Sequence, residues 1–271
     1  MSNIWALFNM SGGVGKSTLT QNLGYHLASD YEANVLLVDV DPQASLTTFM
    51  GKSPTSFSET IANSMLDLNF PLPLVDEFDW CTLAPANIYL AQCEIKLGGV
   101  MQKETRLKQL LKTVSDDYDI VLIDCPPSLG QLAINCLAAA DNLLIPIQTE
   151  YKSVEATINL LQMTFEITRQ INPQLKVFGV VPTMFDSRVN SHKEAIEMIT
   201  EVFVKLRANS LFESTTIFDP VPRGIDFATA TRKHLPLGLH RKNHPALAVL
   251  SDIAGSINRT IVIKGEAVTN E

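Results

Sequence analysis

The chain lacks the features that would place it in a membrane, a disulfide scaffold or a zinc site. No apolar run approaches the roughly 18 residues needed to span a bilayer. Cysteine is sparse: Cys81, Cys93, Cys125 and Cys136 are the only four, and no two stand in a Cys-x-x-Cys spacing. Structural zinc and a disulfide framework are therefore disfavoured, and reduced thiols in a cytoplasm are expected. Cys125 and Cys136 lie in apolar surroundings and read as core residues. No secretory signal is visible, because Asn3 to Phe8 runs straight into a glycine-rich loop. No low-complexity linker or internal repeat divides the chain, and Pro71-Leu72-Pro73 marks a loop rather than a boundary. Its 271 residues, 46% of them hydrophobic and 18% charged, suffice for one α/β domain with a full core.

Positive charge is also in deficit, with 21 Lys and Arg against 29 Asp and Glu, a net charge of −8. Taken alone this argues against nucleic acid, but the distribution is uneven. Residues 1–160 hold 8 Lys/Arg and 18 Asp/Glu, whereas residues 161–245 hold 11 and 8. Binding responds to the local field, so the later segment, with a net charge of +3, carries more weight than the total.

Apolar, β-branched segments alternate with helical ones. Strands are expected at Asn3–Asn9, Asn34–Asp39, Trp80–Leu83, Ile120–Asp124, Asn142–Ile147 and Val177–Thr183, with a short one near Thr215–Phe218. Helices are expected at Lys16–Ser29, Ile88–Leu97, Thr105–Ser115, Leu132–Ala139, Val154–Ile171, Ser191–Leu206 and Pro245–Asn258. Continuous apolar strands are buried on both faces, as in parallel sheets. The fold class is thus α/β, a doubly wound, mainly parallel sheet flanked by helices. Residues 1–259 read as one domain and 260–271 as a polar C-terminal tail.

Three motifs carry chemistry. The first is Asn9-Met10-Ser11-Gly12-Gly13-Val14-Gly15-Lys16-Ser17-Thr18, between a strand and a helix. Glycines let the backbone turn its N–H groups toward phosphate oxygens, and the helix N-terminus adds partial positive charge. Lys16 would reach the β/γ-phosphates, and the Ser17 hydroxyl would ligate Mg²⁺. The common spacing of this loop places glycine at position 10, where this chain has Met10. The second motif is Val35-Leu36-Leu37-Val38-Asp39-Val40-Asp41-Pro42-Gln43. At the carboxyl end of a strand, facing the ligand crevice, Asp39 could orient an attacking water. Capping of the following helix is assigned to Asp41 rather than Asp39. The third is Asp119-Ile120-Val121-Leu122-Ile123-Asp124-Cys125-Pro126-Pro127, a Walker B strand whose Asp124 would hold Mg²⁺. Its two prolines fix a loop that can respond to the γ-phosphate.

Together with Ile145-Pro146-Ile147-Gln148-Thr149-Glu150-Tyr151, these motifs resemble the ParA/MinD family of deviant Walker A ATPases, over nearly the whole chain. The resemblance implies an ATP-sandwich homodimer that binds DNA or membrane and hydrolyses ATP slowly under partner stimulation. It implies that Ser11, Gly12, Gly13, Val14, Gly15, Lys16, Ser17 and Thr18 bind nucleotide, Thr18 at the α-phosphate. It further implies that Asp39 positions water, that the Gln43 and Glu150 regions face the dimer partner, and that Met184 and the Pro222-Arg223 pair lie on the adenine side. ATP and Mg²⁺ are the expected cofactors.

One departure stands out. The family's first Walker A lysine reaches across the dimer to the partner's phosphates, and Ser11 has neither its charge nor its reach. Such a cation in trans is worth roughly 10³–10⁵ in rate in related phosphoryl transfer. Lys152 is the candidate replacement: it follows the strand Asn142–Ile147 and is the sole Lys or Arg between Lys112 and Arg169. A member with serine at that position resembles the subgroup that positions carboxysomes, the McdA proteins.

MinD-like members attach to membranes through a basic amphipathic C-terminal helix. Here Ser256 to Glu266 is β-branched, meets Gly265 and carries two cations, so no membrane partner is expected. The basic late region offers Arg188, Lys193, Arg223, Arg232, Lys233, Arg241 and Lys242 as a non-specific DNA surface. Some of these are expected to pair instead with Glu194, Glu197 and Asp226. The expected protein is a cytoplasmic, nucleoid-associated ATPase that positions a cargo through an adaptor, McdB-like or ParB-like. Plasmid or chromosome segregation is the neighbouring alternative. An ATP-gated iron–sulfur protein is the alternative of another class, with Cys93 and Cys125 as its only plausible ligands.

Overall fold

The computed structural model describes residues 3–266. In chain order it contains β1 (Asn3–Leu7), α1 (Lys16–Tyr31), β2 (Val35–Asp39), α2 (Ser45–Phe49), α3 (Ile61–Leu66), β3 (Val75–Phe78), β4 (Cys81–Ala84), α4 (Tyr89–Leu97), α5 (Arg106–Leu111), β5 (Ile120–Asp124), α6 (Gln131–Ala139), β6 (Asn142–Gln148), α7 (Tyr151–Gln170), β7 (Lys176–Thr183), α8 (Asn190–Leu206), β8 (Thr216–Ile217), α9 (Ile225–Arg232), α10 (Leu237–His240) and α11 (Ala246–Glu266).

The strands join in one eight-stranded sheet of order β3-β4-β2-β5-β1-β6-β7-β8. Every pairing is parallel except β3 with β4. Strand periodicity divides the core. Along β5, Val121 and Ile123 face one layer with Leu90, Leu107, Leu132, Leu160 and Ile199 of α4 to α8. Ile120 and Leu122 face the other, with Leu19 and Leu23 of α1, Leu46 of α2 and Leu250 and Ile253 of α11. The doubly wound expectation is borne out by this topology.

Two local expectations differ. The sequence predicts no strand at Val75–Phe78, because a polar Asp-Glu centre on a half-exposed edge carries no buried apolar run. At the other end, α11 continues through Thr260 to Glu266, past the expected tail boundary and through Gly265. Asn3 donates to the Thr260 hydroxyl at 2.6 Å, tying this helix to β1. Residues 267–271 of the expected tail lie outside the described residues.

The fold brings functional segments together at one end of the sheet. β1, β2 and β5 are neighbours, and their register sets Leu7 and Asp39 on either side of Asp124. The glycine-rich loop leaves β1 at this end and enters α1.

Candidate nucleotide and magnesium site

In the loop between β1 and α1, Gly13 and Gly15 adopt φ of +75° and +94°, the left-handed region in which a side chain is strained. Gly15 is also the N-cap of α1, which has no side-chain cap. The backbone N–H groups of Gly12, Gly13, Val14 and Gly15 donate to no acceptor among the described residues. Four turned amides beside an uncapped helix N-terminus make an anion cradle. The Lys16 ammonium spans the loop, donating to the carbonyls of Asn9 at 3.0 Å and Ser11 at 2.9 Å. Burial lowers its pKa, opposed chiefly by the charge of Asp124. Ser11 therefore contributes a carbonyl to Lys16, while its amide is held by the Asn9 side chain at 2.9 Å.

Asp124 is fully buried; the Ser17 hydroxyl is directed at its carboxylate, but among the described residues no donor closes a well-formed hydrogen bond with either oxygen. Desolvation, then the neighbouring charge of Asp39, pushes its carboxyl well above the usual range; Ser17 and Lys16 act in the opposite sense. A buried carboxylate with free lone pairs beside a serine hydroxyl fits a hard divalent cation. Ser17 and Asp124, predicted as metal ligands, are thus brought together.

Asp39 behaves differently. Its Oδ2 accepts from the Thr47 amide at 2.8 Å and the Thr47 hydroxyl at 2.7 Å, and its Oδ1 from the Asp41 amide at 3.1 Å. Thr47 lies in the first turn of α2, so Asp39 holds that helix start. This corrects the assignment of capping to Asp41, whose Oδ1 accepts only from the Gln43 amide in a local turn. Oδ1 of Asp39, with one bond, retains capacity for a water.

Burial raises the Asp39 carboxyl from 3.8 to about 7 against these hydrogen bonds. Because the folded-state value exceeds the unfolded one, the protonated carboxyl favours the fold. That contribution is complete below the unfolded value of 3.8 and is lost as pH rises through about 7. Asp124 shifts in the same direction. Unfolding free energy of the ligand-free protein, measured in urea between pH 5 and 8, is expected to fall with pH, by at most about 1.4 kcal/mol per unit for each group. A curve rising through that window would contradict the buried-carboxylate account.

A pocket of about 480 Å³ adjoins the loop, lined by Val14, Thr18, Met184, Pro222 and Phe227 among others. Thr183 donates to the Val14 carbonyl at 2.9 Å, fastening the end of β7 to the loop. Met184 takes φ +56°, and Phe185 bridges to Pro222, which turns both expected adenine-side segments into one wall. Phe227 completes this pocket but stands in no motif; the sequence carried no signal for it.

Lys152 is exposed at the second residue of α7, beyond β6 and outside the loop's hydrogen-bond network. The seven basic candidates are all exposed, but they do not form one set. Arg188 is held by Asp186 through two bonds of 2.9 and 2.7 Å. The Arg223 amide donates to the Phe185 carbonyl, placing these two arginines on adjoining turns. Lys193 belongs to α8, in the layer opposite that of Arg232, Lys233, Arg241 and Lys242 around α9 and α10. Arg241 pairs with Asp226, as expected. The expected pairs with Glu194 and Glu197 are absent among the described residues, where the partner of Arg188 is Asp186.

All four cysteines are buried free thiols. Burial pushes Cys93 up to about 12 and Cys125 well above its usual range. Both thiols are fully buried in the described chain, an unfavourable setting for ligands shared with a second subunit. No described helix is long and apolar enough to cross a membrane.

An AAA domain family model matches residues 2–177. The chromosome partitioning protein ParA of Myxococcus xanthus is 38% identical over 208 residues, covering 76% of this chain and 73% of that protein. A cobyrinic acid a,c-diamide synthase from Mycobacterium smegmatis, solved with a bound ATP analog and magnesium, is 28% identical, covers 96% of this chain and 95% of its own, and superposes with a TM-score of 0.82. An ATP complex of an McdA variant from Cyanothece gives a TM-score of 0.82 at 24% identity, covering 95% of this chain and 96% of its own, a likeness of fold. With its phosphate loop, paired strand-end acids and parallel sheet, the chain belongs to the ParA/MinD family of P-loop ATPases.

Proposed function

We propose that this chain, with residues 1–259 as its ATPase domain, binds ATP and Mg²⁺, closes into a homodimer on non-specific DNA, and positions a cargo on the nucleoid. The observation that carries the nucleotide reading is the cradle of free amides next to a buried Asp124 whose oxygens close no well-formed hydrogen bond among the described residues. The M. smegmatis structure, with its ATP analog and magnesium, supports the same ligands here.

Magnesium supplies charge neutralisation at the phosphates, held by Asp124 and Ser17. The amides of Gly12 to Gly15 and the ammonium of Lys16 cradle and neutralise the β- and γ-phosphates, and Thr18 meets the α-phosphate. Met184 and Pro222 wall the base. Asp39 orients the attacking water through Oδ1. Lys152 of one subunit supplies the cation that Ser11 lacks at its partner's phosphates.

Arg188, Lys193, Arg223, Arg232, Lys233, Arg241 and Lys242 supply the DNA surface, which a dimer presents twice. An adaptor on the cargo, McdB-like or ParB-like, stimulates hydrolysis and release. In this reading the protein is cytoplasmic and makes no membrane contact. Carboxysomes are the cargo favoured by serine at position 11 and by the likeness to McdA. The 38% identity to a chromosome partitioning ParA favours segregation as the second reading. The two share a mechanism, and the products of adjoining genes, tested as stimulators of hydrolysis, separate them.

Gel shifts on random-sequence DNA test the core of the proposal. Binding is expected with Mg²⁺ and ATP and not with ADP; identical shifts with and without ATP would sink it. Replacing Arg232 and Lys233 together by alanine is expected to weaken binding uniformly across sequences. The slope of log affinity against log salt should fall by about 2 per protomer. An unchanged slope would remove α9 from the DNA surface.

A further inference from the structure

We propose that α4 is a strut joining the two acid-bearing strand ends, and that Glu94 is a positioning residue for the loop that follows Asp124. The inference rests on the ATPase reading for its consequence but not for its geometry.

At one end, the Thr47 hydroxyl donates to Asp39 Oδ2 at 2.7 Å and accepts from the Ala86 amide at 3.0 Å. The next residue, Asn87, accepts from the Tyr89 amide at 3.1 Å through its side chain and so opens α4. At the other end, Glu94 Oε1 accepts from the Leu132 amide at 3.2 Å. Leu132 is the second residue of α6, which starts just after the loop 125–130 leaves Asp124. A continuous run of contacts thus leads from Asp39 through Thr47, Ala86, Asn87 and α4 to Glu94 and this loop.

Three facts make the Glu94 contact more than incidental. α6 has no acid in its first turn, and its N-cap, Gly130, has no side chain to offer. The half-buried Glu94 carboxylate therefore supplies from another helix the negative charge that a helix start favours. Gly130 sits at φ −114°, where any residue is comfortable, yet a Cβ there would lie 1.9 Å from Glu94 Oε1. A side chain at position 130 would push the flexible end of Glu94 aside, so the glycine leaves the room this contact uses. Beside it, the Gln131 side chain accepts from no α6 amide among the described residues, so Glu94 is the acceptor at this helix start.

A loop pinned at one end by β5 and at the other by Glu94 has little freedom, and its position relative to Asp39 is fixed through α4. When the γ-phosphate or a partner moves one end, the strut carries the displacement to the other.

The test uses the full chain and three variants. Glu94→Ala removes the acceptor, Glu94→Gln keeps an oxygen for the Leu132 amide, and Thr47→Val breaks the opposite end. Hydrogen exchange without nucleotide is read on peptides covering residues 126–134. Exchange is expected to speed up about tenfold in Glu94→Ala, about threefold in Thr47→Val, and to stay at the wild-type rate in Glu94→Gln. Unchanged exchange in Glu94→Ala overturns the clamp, and unchanged exchange in Thr47→Val overturns the strut. In phosphate release, Glu94→Ala is expected to lose about tenfold in kcat with nucleotide affinity within about twofold, and Glu94→Gln to recover most of it. Equal losses in kcat and affinity, or no rescue by glutamine, indicate a merely structural contact and overturn the positioning role. If the wild type releases no more phosphate than Lys16→Ala, the ATPase reading has failed, while the exchange measurements still decide the clamp and the strut.

Discussion

Lys16→Ala is expected to lower nucleotide affinity by about 10²-fold or more and to bring phosphate release to background. Among the described residues the ammonium is the cation that braces the phosphate loop beside Asp124, and two loop carbonyls already aim it. Alanine removes a charge-assisted contact to the phosphates. It also leaves the carbonyls of Asn9 and Ser11 without that donor, so the loop loses its internal brace. A fluorescent nucleotide titration, with a cooperative melt confirming the fold, measures the effect. Affinity within about twofold of wild type would place the nucleotide elsewhere than this loop.

Lys152→Ala is expected to leave nucleotide affinity almost unchanged while hydrolysis falls by roughly 10³. The split follows from position. Lys152 stands exposed at the start of α7 and makes no hydrogen bond or ion pair with its own phosphate loop among the described residues, so a single subunit is expected to have no use for it in binding. Its contribution arises only when a second subunit brings phosphates to it. Adding Ser11→Lys to the alanine variant should restore part of the rate, because a lysine at position 11 supplies the same charge by the route common in the family. Wild-type turnover in Lys152→Ala would reject the relocated cation, and failure of Ser11→Lys to rescue would reject the equivalence of the two positions.

How much was legible in the sequence depended on whether the physics was local. Buried parallel strands announced themselves as apolar runs, and β5 and β6 begin at their predicted residues. The phosphate loop and the acids at the ends of β2 and β5 were legible because each motif is contiguous. The edge strand β3 and the five-residue α2 were not, since neither carries enough periodicity to rise above a loop. Capping was assigned to Asp41 and the contact belongs to Asp39, because spacing alone does not say which carboxylate turns back to Thr47. Glu94 was invisible for a related reason: its partner amide lies 38 residues away on another helix. The basic residues were legible individually, but their division between two layers depends on which sheet face each helix covers.

The grip of Asp39 on Thr47 has a practical consequence for experiments on hydrolysis. Replacing the acid proposed to position water is an obvious way to trap the proposed ATP-bound dimer and treat it as the native state arrested in time. In this chain that substitution would also release the first turn of α2 and the hydroxyl that meets Ala86. The trapped form would then differ from the working one in the shape of its β2 loop as well as in its chemistry. Slower cargo release or altered DNA residence in such a variant could not be credited to stalled hydrolysis alone. Under the proposed relocation of the cation, Lys152→Ala, which removes no hydrogen bond found among the described residues, is the cleaner way to stop the clock.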